Sequence, residues 1–155
     1  MKKIVLQLTS MLALLSLTSF VMADEWSKEQ TAAWSVVTQS WEDEVAGNGK
    51  WPSNYVHEDL VAWGVSWPQP RDSSSVVKWS RFDQQAGKTL IYELFPVAIV
   101  VVGDTAVINY NSVTVAENYE LKRKRSTRGL IETLVKEGKT WKFLSLTSFE
   151  IKSGG

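Results

Sequence analysis

The chain has 155 residues, with 17 basic against 17 acidic side chains, one histidine, eight tryptophans and no cysteine. That length suits one domain with a core of its own, and the balanced charge argues against a nucleic-acid partner. Without cysteine, disulfide scaffolds, thiolate metal sites and a lipid-modified cysteine are excluded.

Residues 1–23 read as an export signal. Lys2 and Lys3 make a basic start, Ile4 to Met22 is apolar with only Gln, Ser and Thr interrupting, and Val21-Met22-Ala23 offers a cleavage site. The expectation is cleavage after Ala23, no stable membrane anchor, a periplasmic or secreted address, and a single domain over residues 24–155. Loss of Lys2 and Lys3 leaves 15 basic and 17 acidic residues, a net charge of −2.

Ser27-Lys28-Glu29-Gln30 is a capping-box pattern. Behind it Trp34, Val37, Trp41 and Val45 recur at spacings of three and four, which predicts an amphipathic helix ending near Gly47. Gly47 to Pro52 is a turn-rich break, too short and wrongly placed for a phosphate loop. In YVHEDLVAWGVSWPQPRD, Val56, Leu60, Val61 and Trp63 suggest one helical turn followed by a strand that Pro68 and Pro70 end. Asp72 is the expected N-cap of a helix over Ser73 to Gln85, with Val76, Trp79 and Phe82 on one side.

After Gly87 the pattern changes to strands. Lys88 to Phe95 is one, and VAIVVV (Val97 to Val102) reads as a fully covered second, with Pro96 a bulge or edge between them. Gly103-Asp104 is a hairpin turn with glycine first. Thr105 to Val115 is the partner strand, Glu117 to Lys124 a charged loop, Arg125 to Lys136 a further strand, and Glu137-Gly138-Lys139 a tight turn into Thr140 to Ile151. Helices gathered before strands predict an α+β domain, a curved antiparallel sheet wrapped over N-terminal helices.

Four stretches, TAAWSVVTQSW, YVHEDLVAWG, VVGDTAVINYNS and TRGLIETLVKEGKTWKFLSLTSFE, together resemble the nuclear transport factor 2-like superfamily, which includes SnoaL-like and ketosteroid-isomerase-like proteins. The resemblance covers nearly the whole chain after residue 23. It implies a cone-shaped domain enclosing an apolar pocket, and dimerisation through the outer face of the sheet. Some members are isomerases, hydrolases or cyclases and others only bind ligands or partners, so fold does not decide function. Many relatives carry a histidine on the last strand, about six residues after the tryptophan. Thr147 stands there in this chain, so that polar pocket group is missing.

The residues leave three readings open. His57, Glu58 and Asp59 supply one histidine and side chains that diverge, which does not make a metal site. No cofactor is called for. Asp59 is the nearest match to the carboxylate base that the resemblance implies, with Tyr92 or Tyr110 as donor to a substrate oxygen. The plainer alternative has Asp59 capping a turn and His57 at the surface. Trp34, Trp41, Trp63, Trp67 and Trp79 are core residues or walls for a small apolar or aromatic molecule, and Arg128 is a candidate partner for a ligand carboxylate. Lys122-Arg123-Lys124-Arg125 is either an anion patch or a solvated strand start balanced by Glu117 and Glu120. The reading preferred is an exported small-molecule-binding protein. The alternatives are an isomerase or hydrolase with Asp59 as base, and a partner-binding module whose pocket is filled by its own tryptophans.

Overall fold

The computed structural model describes residues 26–152; the expected export signal lies outside them. The elements run α1 (Lys28–Ala46), β1 (Val56–Trp63), β2 (Arg71–Asp72), α2 (Ser73–Ala86), β3 (Gly87–Val102), β4 (Thr105–Asn118), β5 (Arg123–Glu137) and β6 (Thr140–Glu150). They build one six-stranded sheet in the order β2-β1-β6-β5-β4-β3. Bulges in β1, β3 and β6 bend the sheet so that its concave side takes the helices.

Local chemistry fixes both ends of α1. Gln30 N donates to Ser27 Oγ at 3.2 Å and Ser27 N donates to Gln30 Oε1 at 2.8 Å, which completes the capping box. Gly47 closes the helix in the left-handed region at φ 61°, where a Cβ would be strained. Gln30 Nε2 also donates to the Ile99 carbonyl at 2.7 Å, tying the start of the helix to β3. At the other end, buried Asp43 accepts from the Tyr55 hydroxyl and from Asn48 Nδ2 at 2.7 Å, with Lys50 Nζ at 3.4 Å. These bonds hold the GNGKWP turn against the helix.

Alternation then builds the core. Ala106, Ile108 and Tyr110 of β4, Leu134 of β5, Trp141 and Phe143 of β6 and Leu60 and Ala62 of β1 face inward and meet Ala33 and Val37 of α1. The segment 56–63 is strand throughout, not a helical turn followed by a strand. Leu60 and Ala62 are buried while Val61 and Trp63 are more than half exposed, a period-two pattern that no helix would give. β1 runs parallel to β6, the one parallel pair among the described residues.

Two further expectations change. Lys88–Phe95 and Val97–Val102 form the single strand β3, with a bulge between Pro96 and Ala98. This strand is at the sheet edge, where a missing proline N–H is tolerated. VAIVVV is not fully covered: Ile99 is buried, but Val97, Val100 and Val102 are 66%, 54% and 73% exposed. An apolar run cannot say which of its two faces has a layer above it, and the outer face of this sheet has none among the described residues. The Asp72 cap and the helix behind it are as expected, with Asp72 Oδ1 accepting from Ser75 N at 2.8 Å. Of the face predicted for α2 only Val76 is buried; Trp79 and Phe82 are 42% and 58% exposed. The helix touches β1 and β2 at one end of the sheet and β3 at the other, and so spans the opening of the cone.

Candidate functional site

The cone encloses a cavity of about 600 Å³. Its inner end is built by Ser40, Trp41 and Glu44 of α1 with Ala62, Leu130, Glu132 and Leu146 of the sheet. The mouth is formed by Gly64 to Trp67, Arg71, and Val76, Trp79, Ser80 and Asp83 of α2. The inner face of β5 runs between the two. Glu132, Leu130, Arg128, Ser126 and Lys124 all line the cavity, because every second residue of a strand shares a face.

Glu132 is the least expected of these groups. It is 5% exposed and pairs in register with Ile108 and Leu146, inside the apolar layer. Tyr110, itself buried, donates to Glu132 Oε1 at 2.8 Å and accepts from Trp41 Nε1 at 2.8 Å. Glu132 Oε2 is buried without a partner. Burial, with the charge of Glu44 adding to it, raises the Glu132 carboxyl to about 8 against the opposing Tyr110 hydrogen bond. The same burial, followed by the Glu132 charge, holds the Tyr110 hydroxyl well above the usual tyrosine range. Glu44 is an exposed residue, but it lines the cavity, where neighbouring protein displaces part of its water. This loss of solvation, helped by Asp83 and opposed by Arg128, lifts Glu44 to about 7. At neutral pH the inner end therefore holds one protonated carboxyl and one near its midpoint, an arrangement able to donate or accept a proton.

At the mouth, the turn after β1 lays the Trp67 indole on Gly64, where a Cβ would come within 2.8 Å of the ring. Trp67 N donates to the Gly64 carbonyl and Trp63 Nε1 donates to the Trp67 carbonyl, each at 3.1 Å. The Arg71 guanidinium carbon is 3.8 Å from the Trp67 ring centroid and 4.7 Å from that of Trp79.

The predicted residues separate clearly. Trp41, Trp63, Trp67, Trp79 and Arg128 line the cavity, and Trp51 joins them. Trp34 is behind the wall, edge-on to Tyr110 at 5.4 Å. Tyr92 stacks on Trp41 at 5.7 Å, and neither Tyr92 nor Tyr110 belongs to the lining. Asp59 is corrected outright as a pocket base. Its side chain is 81% exposed and lies outside the cavity, because Leu60 and Ala62 take the inward positions of β1. His57 has both nitrogens engaged, Nδ1 accepting from Asp59 N at 3.0 Å and Nε2 lying 3.1 Å from Glu137 Oε1. Thr147 pairs with Ile131 and Ser148 with Leu130, and both line the cavity. Lys122 and Arg123 of the basic run are held by Glu120 and Glu117 at 2.7 and 3.0 Å, the balanced reading of that run.

Sequence reasoning missed Glu44, Glu132, Asp83 and Arg71. Glu132 left one legible signal, a carboxylate between Leu130 and Leu134 at an inward position of an alternating strand. Glu44 left another, three residues after Trp41 on the apolar face of α1.

No protein-family model matches the chain, and no curated protein matches it in sequence. Solved structures do match. A ketosteroid isomerase-like protein from Erwinia carotovora atroseptica superposes with TM-score 0.72 at 10% identity, over 83% of this chain and 100% of its own. An NTF2-like protein from Cytophaga hutchinsonii gives 0.69 at 12% identity, over 81% and 100%. An NTF2-like protein of unknown function in nutrient uptake from Rhodospirillum rubrum gives 0.66 at 15% identity, over 77% and 98%. The chain has the nuclear transport factor 2-like cone fold.

Proposed function

We propose that the protein is an exported binder of a small apolar or aromatic molecule held inside the cone. One observation carries this: the tryptophans wall a cavity of about 600 Å³ and do not fill it. Ligand sites commonly measure roughly 300–1,000 Å³ with aromatic walls and a few polar groups. The open cavity argues against a module plugged by its own side chains. Export rests on the character of residues 1–23. A homodimer rests on the outer sheet face, where Val61, Phe95, Val100, Ile131 and Phe149 are each more than 40% exposed, an apolar surface of the kind that marks a partner.

Native mass spectrometry of the protein recovered from the periplasm tests all three parts. The expected spectrum is a dimer of chains beginning at Asp24 with additional small-molecule mass. A protein that carries no added mass and gives no thermal shift in a broad ligand screen would end the binding reading. Full-length chains would end the export reading, and monomers at tens of micromolar the dimer.

Glu44 and Glu132 favour isomerase or hydrolase chemistry as the second reading, because two carboxyls with raised pKa share one cavity. In that reading Glu44, not Asp59, is the base and Glu132 the acid. Glu44→Gln abolishing turnover of an identified substrate, with Asp59→Asn leaving it intact, is the expected result.

A further inference from the structure

We propose that Arg71 is an oxyanion subsite at the mouth of the cavity, so that the molecule bound there is an apolar or aromatic carboxylic acid. The inference rests on the binding reading above and specifies its ligand.

The guanidinium is positioned between two cavity-lining indoles, 3.8 Å from one centroid and 4.7 Å from the other. Stacking fixes its plane and leaves the N–H groups at its edge as the remaining polar surface. Among the described residues Arg71 enters no ion pair and no side-chain hydrogen bond. The nearest carboxylate in sequence, Asp72, is engaged by Ser75 N at 2.8 Å and Ser74 Oγ at 3.0 Å as the cap of α2. Arg71 is thus a charged group, pre-oriented by two rings, with no anionic partner among the described residues.

A flat fork of N–H donors matches the two oxygens of a carboxylate, and an immobilised fork loses little further entropy on binding. Arg128 and Lys124 on the β5 wall also form no ion pair among the described residues, so they add positive potential across the cavity. Four acids face them: Glu44, Asp83, Glu132 and Glu150. With Glu132 raised to about 8 and Glu44 to about 7, these acids carry less than their full charge at neutral pH. The lining is therefore close to charge balance at neutral pH and not strongly negative, and it grows more negative as pH rises and the inner carboxyls ionise, which weakens the hold of Arg71 on an anion.

Naphthalene-2-carboxylate and its neutral isostere naphthalene-2-carboxamide are suitable probes, with binding read by calorimetry and tryptophan quenching. At pH 6.5 the acid should bind roughly tenfold or more tightly than the amide, the worth of one charge-assisted fork. Arg71→Gln, which keeps a planar head, should abolish that preference, so that the variant binds acid and amide equally. Arg71→Lys, which keeps the charge without the fork, should retain only part of it, and carries the test if the glutamine variant does not melt cooperatively. Affinity for the acid should fall between pH 6 and 9 while that for the amide stays level. Equal affinities in the parent protein, or a preference surviving Arg71→Gln, would overturn the subsite and leave the binding reading standing. Failure of both probes at millimolar concentration would overturn both.

Discussion

Tyr110 and Tyr92 show how position along one face separates similar side chains: Tyr92 pairs with Thr114, four residues along β4 from Tyr110. Both are inward tyrosines on neighbouring strands, and as sequence they are equivalent candidates for a donor. Tyr110 is 1% exposed, and its hydroxyl links Trp41 Nε1 to Glu132 Oε1. The Tyr92 hydroxyl has no such pair of partners; its ring stacks on Trp41. Tyr110→Phe should therefore cost about 1–3 kcal/mol, because it strands a buried donor and a buried carboxyl, whereas Tyr92→Phe should cost well under that. Urea unfolding of the two variants decides the point, and equal costs would mean that the Trp41–Tyr110–Glu132 chain contributes nothing. Side-chain direction was the part of the site that the sequence concealed. Asp59 is one position from Leu60, and in a strand that step is the difference between solvent and core. The rare-looking trio His57-Glu58-Asp59 drew attention by composition, while Glu132 passed unnoticed because its strand is otherwise ordinary.

Among the elements, the connection from β1 to α2 does the most with the fewest residues. Gly64 admits the Trp67 indole, two hydrogen bonds fix the turn, and Arg71 locks onto Trp67 and Trp79. α2 buries little besides Val76, so this stack is a main attachment at its N-terminal end. Gly64→Ala puts a methyl 2.8 Å from Trp67 Cε2. It should push the ring away, red-shift tryptophan emission and lower stability by about 1–3 kcal/mol, the usual cost of overpacking. A variant with unchanged emission and unchanged denaturation midpoint would show that the turn yields freely. Element boundaries were legible wherever local chemistry sets them. Ser27 with Gln30, Gly47, Asp72, Gly103 and Gly138 each mark an end in sequence and in structure. Pairing across distance was not legible. The parallel match of β1 with β6 joins residues 84 to 87 positions apart, and the exposure of VAIVVV depends on what lies beyond the sheet, which no local window contains.

At the scale of the whole molecule, two sets of carboxyls pull stability in opposite directions along the pH axis. Asp43 is held below the usual carboxylate range first by the Tyr55 hydrogen bond, and Glu117 first by Arg123. A lowered folded pKa contributes stability above the unfolded value, and that contribution is lost as pH falls through the folded value. Glu132 works the other way. Raised from 4.5 to about 8, it binds its proton more tightly folded than unfolded, so its contribution is complete below about pH 4.5 and disappears as pH climbs to about 8. Glu44 is raised in the same direction but is exposed, so solvent screening reduces its alkaline loss, which ends near pH 7. Stability should peak near pH 5 and decline by a few kcal/mol toward pH 8, at about 1.4 kcal/mol per unit of pKa difference as an upper bound. Glu132→Gln mimics the protonated carboxyl and carries no charge. Its profile should keep only the shallower Glu44 slope and become level above pH 7, so that the variant overtakes the parent in alkaline buffer. Urea midpoints at pH 5, 6.5, 8 and 9 measure this directly. A parent profile that is flat from pH 5 to 8, or a glutamine variant that keeps falling to pH 8, would show that Glu132 is ionised and solvated in the folded protein. In that case the inner end of the cone would be wet and charged rather than a protonated, largely apolar floor. A protonated floor suits the uncharged body of an aromatic acid whose carboxylate is held at the mouth by Arg71, and the pH profile tests that division of the cavity without any ligand present.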